Sequence, residues 1–166
     1  MATIIAFPIL VGLMIVQSAV LSRVPLLRGT PDLLLLAILG WALQRRVQTA
    51  WQWGVIGGLI YTLVSALPPG IALAGYAAST GLALALRQRV WQLPVLAMFI
   101  ATFLGTLITL GLELAALKVV GNPIPIGPAI NLIILPGLFL NMLLAGPAYA
   151  LLHELAGWLY PETLEV

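Results

Sequence analysis

Charge is scarce in this 166-residue sequence, which holds seven Lys and Arg, five Asp and Glu, and one His. Roughly a quarter of the residues in a water-soluble domain are charged. Here no charged side chain occurs from Met1 to Ser22, Val47 to Leu86, Val90 to Leu112 or Val119 to Leu152. With 62% hydrophobic residues and a mean hydropathy of +1.14, the chain cannot cover a globule with polar surface, so its solvent is mostly lipid. Cysteine is absent, which excludes disulfides, thiolate metal sites and Cys nucleophiles. The single histidine, His153, excludes a histidine-rich metal site and an H-E-x-x-H helix. No G-x-S-x-G motif or phosphate-binding loop is present, the nearest approach to the former being Ala77-Ala78-Ser79-Thr80-Gly81. We therefore expect no enzyme and no catalytic, cofactor-binding or metal-binding residues. His153-Glu154 reads as an interfacial pair rather than a catalytic dyad. A pI near 9.4 would suggest nucleic acid in a soluble protein. In this chain the few arginines read as topology signals, and no nucleic-acid partner is expected.

A membrane-spanning helix needs about 20 mainly apolar residues. The sequence thus predicts an all-α, polytopic membrane helix bundle of about six transmembrane helices, with residues 1–166 forming a single transmembrane domain. The first segment runs from about Thr3 to Leu21. It has no basic residue ahead of it, so it reads as a retained span rather than a signal peptide. The second begins at Thr30-Pro31-Asp32, with Thr30 as N-cap, Pro31 at the first helical position and Asp32 complementing the helix dipole. It ends near Gln44, which is short for a span. Pro68-Pro69-Gly70 divides the next uncharged stretch into segments of about Trp51–Leu67 and Ile71–Leu86. The fifth runs from about Leu93 to Leu117. After the proline-rich loop Gly121–Pro128, the sixth covers about Ile130–Trp158, kinked at Pro136 and Pro147.

The rule that Lys and Arg stay inside places Arg45, Arg46, Arg87, Arg89 and the C-terminus on the cytoplasmic side. If segment two does not cross, Arg23 and Arg28 join them and the N-terminus lies outside. All five tryptophans (Trp41, Trp51, Trp53, Trp91 and Trp158) then fall near the cytoplasmic interface, where indole rings anchor.

Three groups of residues are candidates for function. Gly54, Gly58 and Thr62 on segment three form one smooth face; Gly70, Ala74, Ala78, Gly81 and Ala85 on segment four form another. Small residues let helices approach closely in lipid, so these faces serve either a partner's transmembrane helix or packing within the bundle. Thr102, Thr106, Thr109 and Glu113 make a polar stripe on segment five, because spacings of 4, 3 and 4 return to nearly one direction. A carboxylate facing acyl chains is costly, so Glu113 should face the bundle, a wet cavity or the headgroups. Gln17, Asn131 and Asn141 are possible partners for it. The stripe has three possible uses: bonding back to its own helix, lining a small-molecule or lipid cavity, or meeting a partner protein. Pro31 and Asp32 are either a simple helix start or a charged contact with Arg23, Arg28 or a partner.

Thr30-Pro31-Asp32-Leu33-Leu34-Leu35-Leu36, followed by Gly54-Val55-Ile56-Gly57-Gly58-Leu59-Ile60 and Leu67-Pro68-Pro69-Gly70, resembles the rod shape-determining protein MreD family. The likeness covers most of the chain in layout and about forty residues in motif. Members of that family often carry an acidic residue after the Gly-Leu stretch of the third span; this chain has Tyr61-Thr62 there. The resemblance implies a six-helix fold similar to the S-components of energy-coupling vitamin transporters. It also implies a multi-pass, non-enzymatic scaffold in the bacterial cytoplasmic membrane, acting in cell shape and peptidoglycan synthesis. The implied partner is MreC, with links to MreB and to RodA and its penicillin-binding transpeptidase. A second expectation is an S-component-like binder of a small metabolite such as a vitamin, which requires polar groups converging on the outer side.

Overall fold

The computed structural model describes residues 2–19, 30–89, 92–122 and 124–161. The expectations placed on Arg23, Arg28, Trp91 and Pro123 fall outside them. Every element among the described residues is helical. In chain order they are α1 (Ala2–Ala19), α2 (Leu33–Ala42), α3 (Ala50–Val64), α4 (Pro69–Arg89), α5 (Pro94–Val119) and α6 (Ile126–Leu159). Three stretches are long and apolar enough to cross a membrane: Gly70–Arg89, Pro94–Val119 and Ile126–Leu159. The chain is thus a helical membrane protein.

The other three helices are shorter, so by length and composition the count of full spans is three rather than six. Each of two has a visible stop. α2 ends where Gln44-Arg45-Arg46 begins, and α3 ends ahead of the Pro68-Pro69 pair. At about 1.5 Å per residue, the ten residues of α2 reach only about 15 Å.

The helices alternate in direction. Gln17 late in α1, Asp32 before α2, Tyr61 late in α3, Glu113 late in α5 and Leu132 early in α6 all line one cavity. Leu43 after α2, Arg87 late in α4, Pro94 opening α5 and His153 late in α6 line another. These two ends are called here the cavity end and the arginine end. Thr3 donates to Gln52 Oε1 at 2.8 Å, and Arg46 Nη1 donates to the Tyr160 carbonyl at 3.3 Å. Both described chain ends therefore lie at the arginine end.

α2 is the axis of the bundle. All its residues from Leu34 to Ala42 are buried, as expected of a helix that is apolar all round. Gly105 of α5 lies against Leu39; a Cβ there would stand 3.2 Å from Leu39 Cδ1. Both ends of α2 are held by side chains. Asp32 is its N-cap, accepting from Leu35 N at 3.0 Å. The expected start at Thr30 is therefore corrected by two residues. A carboxylate meets the exposed amides of the first turn and the positive end of the dipole, so Asp32 takes the cap, and Pro31 precedes it. At the other end Gln44 Nε2 donates to the Gly40 carbonyl at 3.0 Å, and Arg87 Nη1 holds the connection that follows, donating to the Gln44 carbonyl at 3.0 Å and the Val47 carbonyl at 2.9 Å.

Two tryptophans depart from the interface expectation. Trp41 and Trp53 are fully buried and stack at 4.4 Å with an 18° interplanar angle. Trp41 Nε1 donates to Thr49 Oγ1 at 3.2 Å. An indole whose N–H finds a partner contributes its large apolar face to a core, and these two do so. Trp51 and Trp158 remain exposed.

α5 closes with Gly121 at φ +88°. Asn122 N donates to Leu117 O at 2.9 Å and Gly121 N to Lys118 O at 3.3 Å, a Schellman ending that uses the glycine's tolerance of positive φ. α6 opens four residues ahead of expectation and carries a π-helical turn at Ile130–Ile134. Pro136 follows at once. Its missing N–H and its ring disturb the preceding turn, and widening to π geometry is a recognised accommodation.

Candidate functional site: a polar cavity at the head of α2

The cavity end holds a pocket of about 210 Å³. Its polar lining is Gln17, Thr30, Asp32, Tyr61, Thr106, Thr109, Glu113 and Asn141, drawn from α1, α2, α3, α5 and α6. Gly137 opens space in the wall, since a Cβ there would lie 3.5 Å from Leu110 Cδ1 and 4.0 Å from the Thr30 carbonyl.

Asp32 is the hub. The Tyr76 hydroxyl, from α4, donates to its carboxylate at 2.9 and 2.8 Å to the two oxygens. Its own backbone N–H donates to Asn141 Oδ1 at 2.7 Å. Asn141 Nδ2 in turn donates to Thr106 Oγ1 at 3.0 Å. The next amide, Leu33 N, donates to Gln17 Oε1 at 2.8 Å. The first turn of α2 is thus satisfied by α1 and α6 as well as by its own cap, which a buried helix end requires. A chain of hydrogen bonds in a low-dielectric interior holds its members in place.

The threonine stripe faces inward. Thr102, Thr106 and Thr109 are buried. Thr109 Oγ1 bonds back to the carbonyls of Gly105 and Thr106, both at 3.1 Å. Thr106 accepts from Asn141. Thr102 Oγ1 has no hydrogen-bond partner among the described residues. Glu113, half-buried, continues the stripe into the cavity, where it interacts with the Tyr61 hydroxyl. The Tyr61 ring lies against Tyr76 at 5.5 Å. Of the partners considered for Glu113, Gln17 and Asn141 share its cavity and Asn131 is exposed.

The helix-start pair and the polar stripe, which are far apart in the sequence, therefore meet in one site. Pro31 is buried beside it. Two residues that sequence reasoning missed are Tyr61 and Tyr76. The available signal was position: Tyr61 stands late in α3 and Tyr76 follows the Pro68-Pro69-Gly70 turn by six residues, so both lie toward the end at which Asp32 caps α2.

The small-residue faces separate. Gly54 and Gly58 are buried against α4; a Cβ on Gly58 would stand 3.0 Å from Leu73 Cα. Thr62 bonds back to the Gly58 carbonyl at 2.8 Å. On α4, Gly70, Ala74, Ala78 and Ala85 point outward and are exposed. Gly81 is half-buried, with the Trp51 ring 3.3 Å from where its Cβ would be.

No group of three or more His, Cys, Asp and Glu that could hold a metal ion occurs among the described residues. Compared with protein-family models, curated proteins and solved structures, the chain matches none.

Proposed function

We propose that this protein is a non-enzymatic scaffold of the bacterial elongation machinery, of the kind its MreD-like motifs imply. It sits in the cytoplasmic membrane with six helices in an S-component-like arrangement and its arginine end toward the cytoplasm. Its work is positional: it seats the membrane helix of an MreC-like partner, and through it engages RodA, its transpeptidase and MreB.

The observation that carries this reading is the outward face of α4. Gly70, Ala74, Ala78 and Ala85 are exposed, and beside them runs the exposed ridge Trp51, Val55 and Leu59 of α3. Against lipid, small side chains gain little. Against another helix, they allow the close backbone approach that drives association in membranes. The motif residues support the reading differently. Asp32 of the Pro-Asp-Leu run secures the central helix, and Tyr61, near the place where the family often carries an acid, shares its cavity with Glu113.

Co-expression with an MreC-like protein tests this. Ala78→Leu should cut co-purification at least tenfold while leaving the melting temperature of the isolated chain unchanged. Gly58→Leu should lower that melting temperature with no partner present, because overpacking costs about 1–3 kcal/mol. Full co-purification with Ala78→Leu would sink the docking role.

The polar cavity favours a second reading, an S-component-like subunit that binds a small metabolite. Asp32, Tyr61, Glu113 and Asn141 converge there as such a binder requires. A metabolite that raises the melting temperature of the wild type, but not of Glu113→Gln, would select that reading.

A further inference from the structure

The arginine end carries a second pocket, of about 320 Å³, which none of the preceding roles uses. Its wall includes Arg45 and Arg46 from the α2–α3 connection, Arg87 from α4, and Tyr149 and His153 from α6. Among the described residues no carboxylate lines it. The chain has only seven Lys and Arg in all, and three of them meet here.

The basic groups are held in position. Among the described residues, both hydrogen bonds of Arg87 use Nη1, to the Gln44 and Val47 carbonyls, and its Nε and Nη2 hydrogens point to no other acceptor there. Arg46 is tied to the Tyr160 carbonyl. His153 Nδ1 lies 3.0 Å from Gln44 Oε1, and its ring stacks on Tyr149 at 6.0 Å. Gln44 Nε2 donates to the Gly40 carbonyl at 3.0 Å, which fixes the amide that orients His153. Pro94 and Ala97, in the first turn of α5, complete one side. That helix start has no side-chain cap, so its amides and the positive end of its dipole add to the field.

Forked guanidinium groups match the oxygens of a phosphate. Basic pockets between membrane helices hold anionic headgroups. We infer that this pocket binds the phosphate group of an anionic phospholipid of the adjoining leaflet, clamped by Arg45, Arg46 and Arg87 with His153 alongside. The acyl chains would run down the apolar flank of the bundle. The inference rests on the pocket alone and not on the scaffold reading.

The test uses the purified full chain in a neutral detergent, titrated with dioctanoyl phosphatidylglycerol, dioctanoyl phosphatidylcholine and inorganic phosphate. Phosphatidylglycerol should bind saturably, at least tenfold tighter than phosphatidylcholine, with affinity falling as salt rises. Arg45→Gln with Arg46→Gln should weaken it about tenfold without lowering the melting temperature. Arg89→Gln, which removes a charge from the helix that carries Arg87 but not from the pocket wall, should leave it unchanged. Inorganic phosphate binding as tightly as the lipid would overturn a lipid site in favour of a soluble anion. Equal binding of the two lipids, or an equal loss in Arg89→Gln, would reduce the effect to bulk charge and overturn the pocket altogether.

Discussion

Thr102 and Thr106 lie one turn apart on α5 and are both buried, yet only Thr106 has a hydrogen-bond partner in another helix. Their valine variants should therefore diverge. Thr102→Val removes an unsatisfied hydroxyl at nearly constant shape and should be neutral or stabilising by about 1 kcal/mol. Thr106→Val strands the Asn141 amide and should cost about 1–3 kcal/mol. Thermal melting of the detergent-solubilised chain reads both. The stripe itself was legible in the sequence, because spacings of 4, 3 and 4 put these residues and Glu113 on one face. Which hydroxyl is satisfied was not legible, because that depends on Asn141, which is 35 residues away from Thr106. The tryptophans make the same point. Trp41 and Trp53 stand near arginines in sequence and look like interface anchors, but stacking on each other in the core buries more apolar surface than an interface would.

At the scale of the helix, most of the architecture could be read from apolar run length and proline position. The expected segments each correspond to a helix, with ends differing by a few residues, but among the described residues only three of the six are long and apolar enough to cross a membrane. Little in the chain's pattern marked α2 as the central helix. A Leu-rich run is equally suited to a lipid-facing or a buried helix, and only its shortness set it apart. Its stability should depend on Asp32. Asp32→Ala removes the cap from Leu35 N and the acceptor of Tyr76, which together should cost about 2–4 kcal/mol. Asp32→Asn keeps an acceptor for both and should lose less than half of that. The same melting measurement separates the two. Equal losses would mean that the negative charge, rather than the geometry of the cap, secures the helix.

At the scale of the whole molecule, the two cavities lie at opposite ends of one axis. The first turn of α2 is bonded by Asp32, Gln17 and Asn141; near its other end the Gly40 carbonyl is bonded by Gln44, and Arg87 holds the connection that follows. This bears on biogenesis. At about 15 Å, α2 is half the thickness of a hydrocarbon core. As the chain leaves the ribosome, α2 emerges long before α6, whose Asn141 and Leu152 meet it only at the end. A nascent chain cut after Val119 should therefore hold α2 in no settled place. Its residues should be open to cysteine-directed labelling and the fragment quickly degraded, whereas the full chain should protect the same positions. Early protection in the fragment would show that α2 takes its place without α6. If the full chain alone protects those positions, assembly order runs against chain order: the second helix made is the last to become secure, and completion of the sixth is the step that commits the protein to its fold.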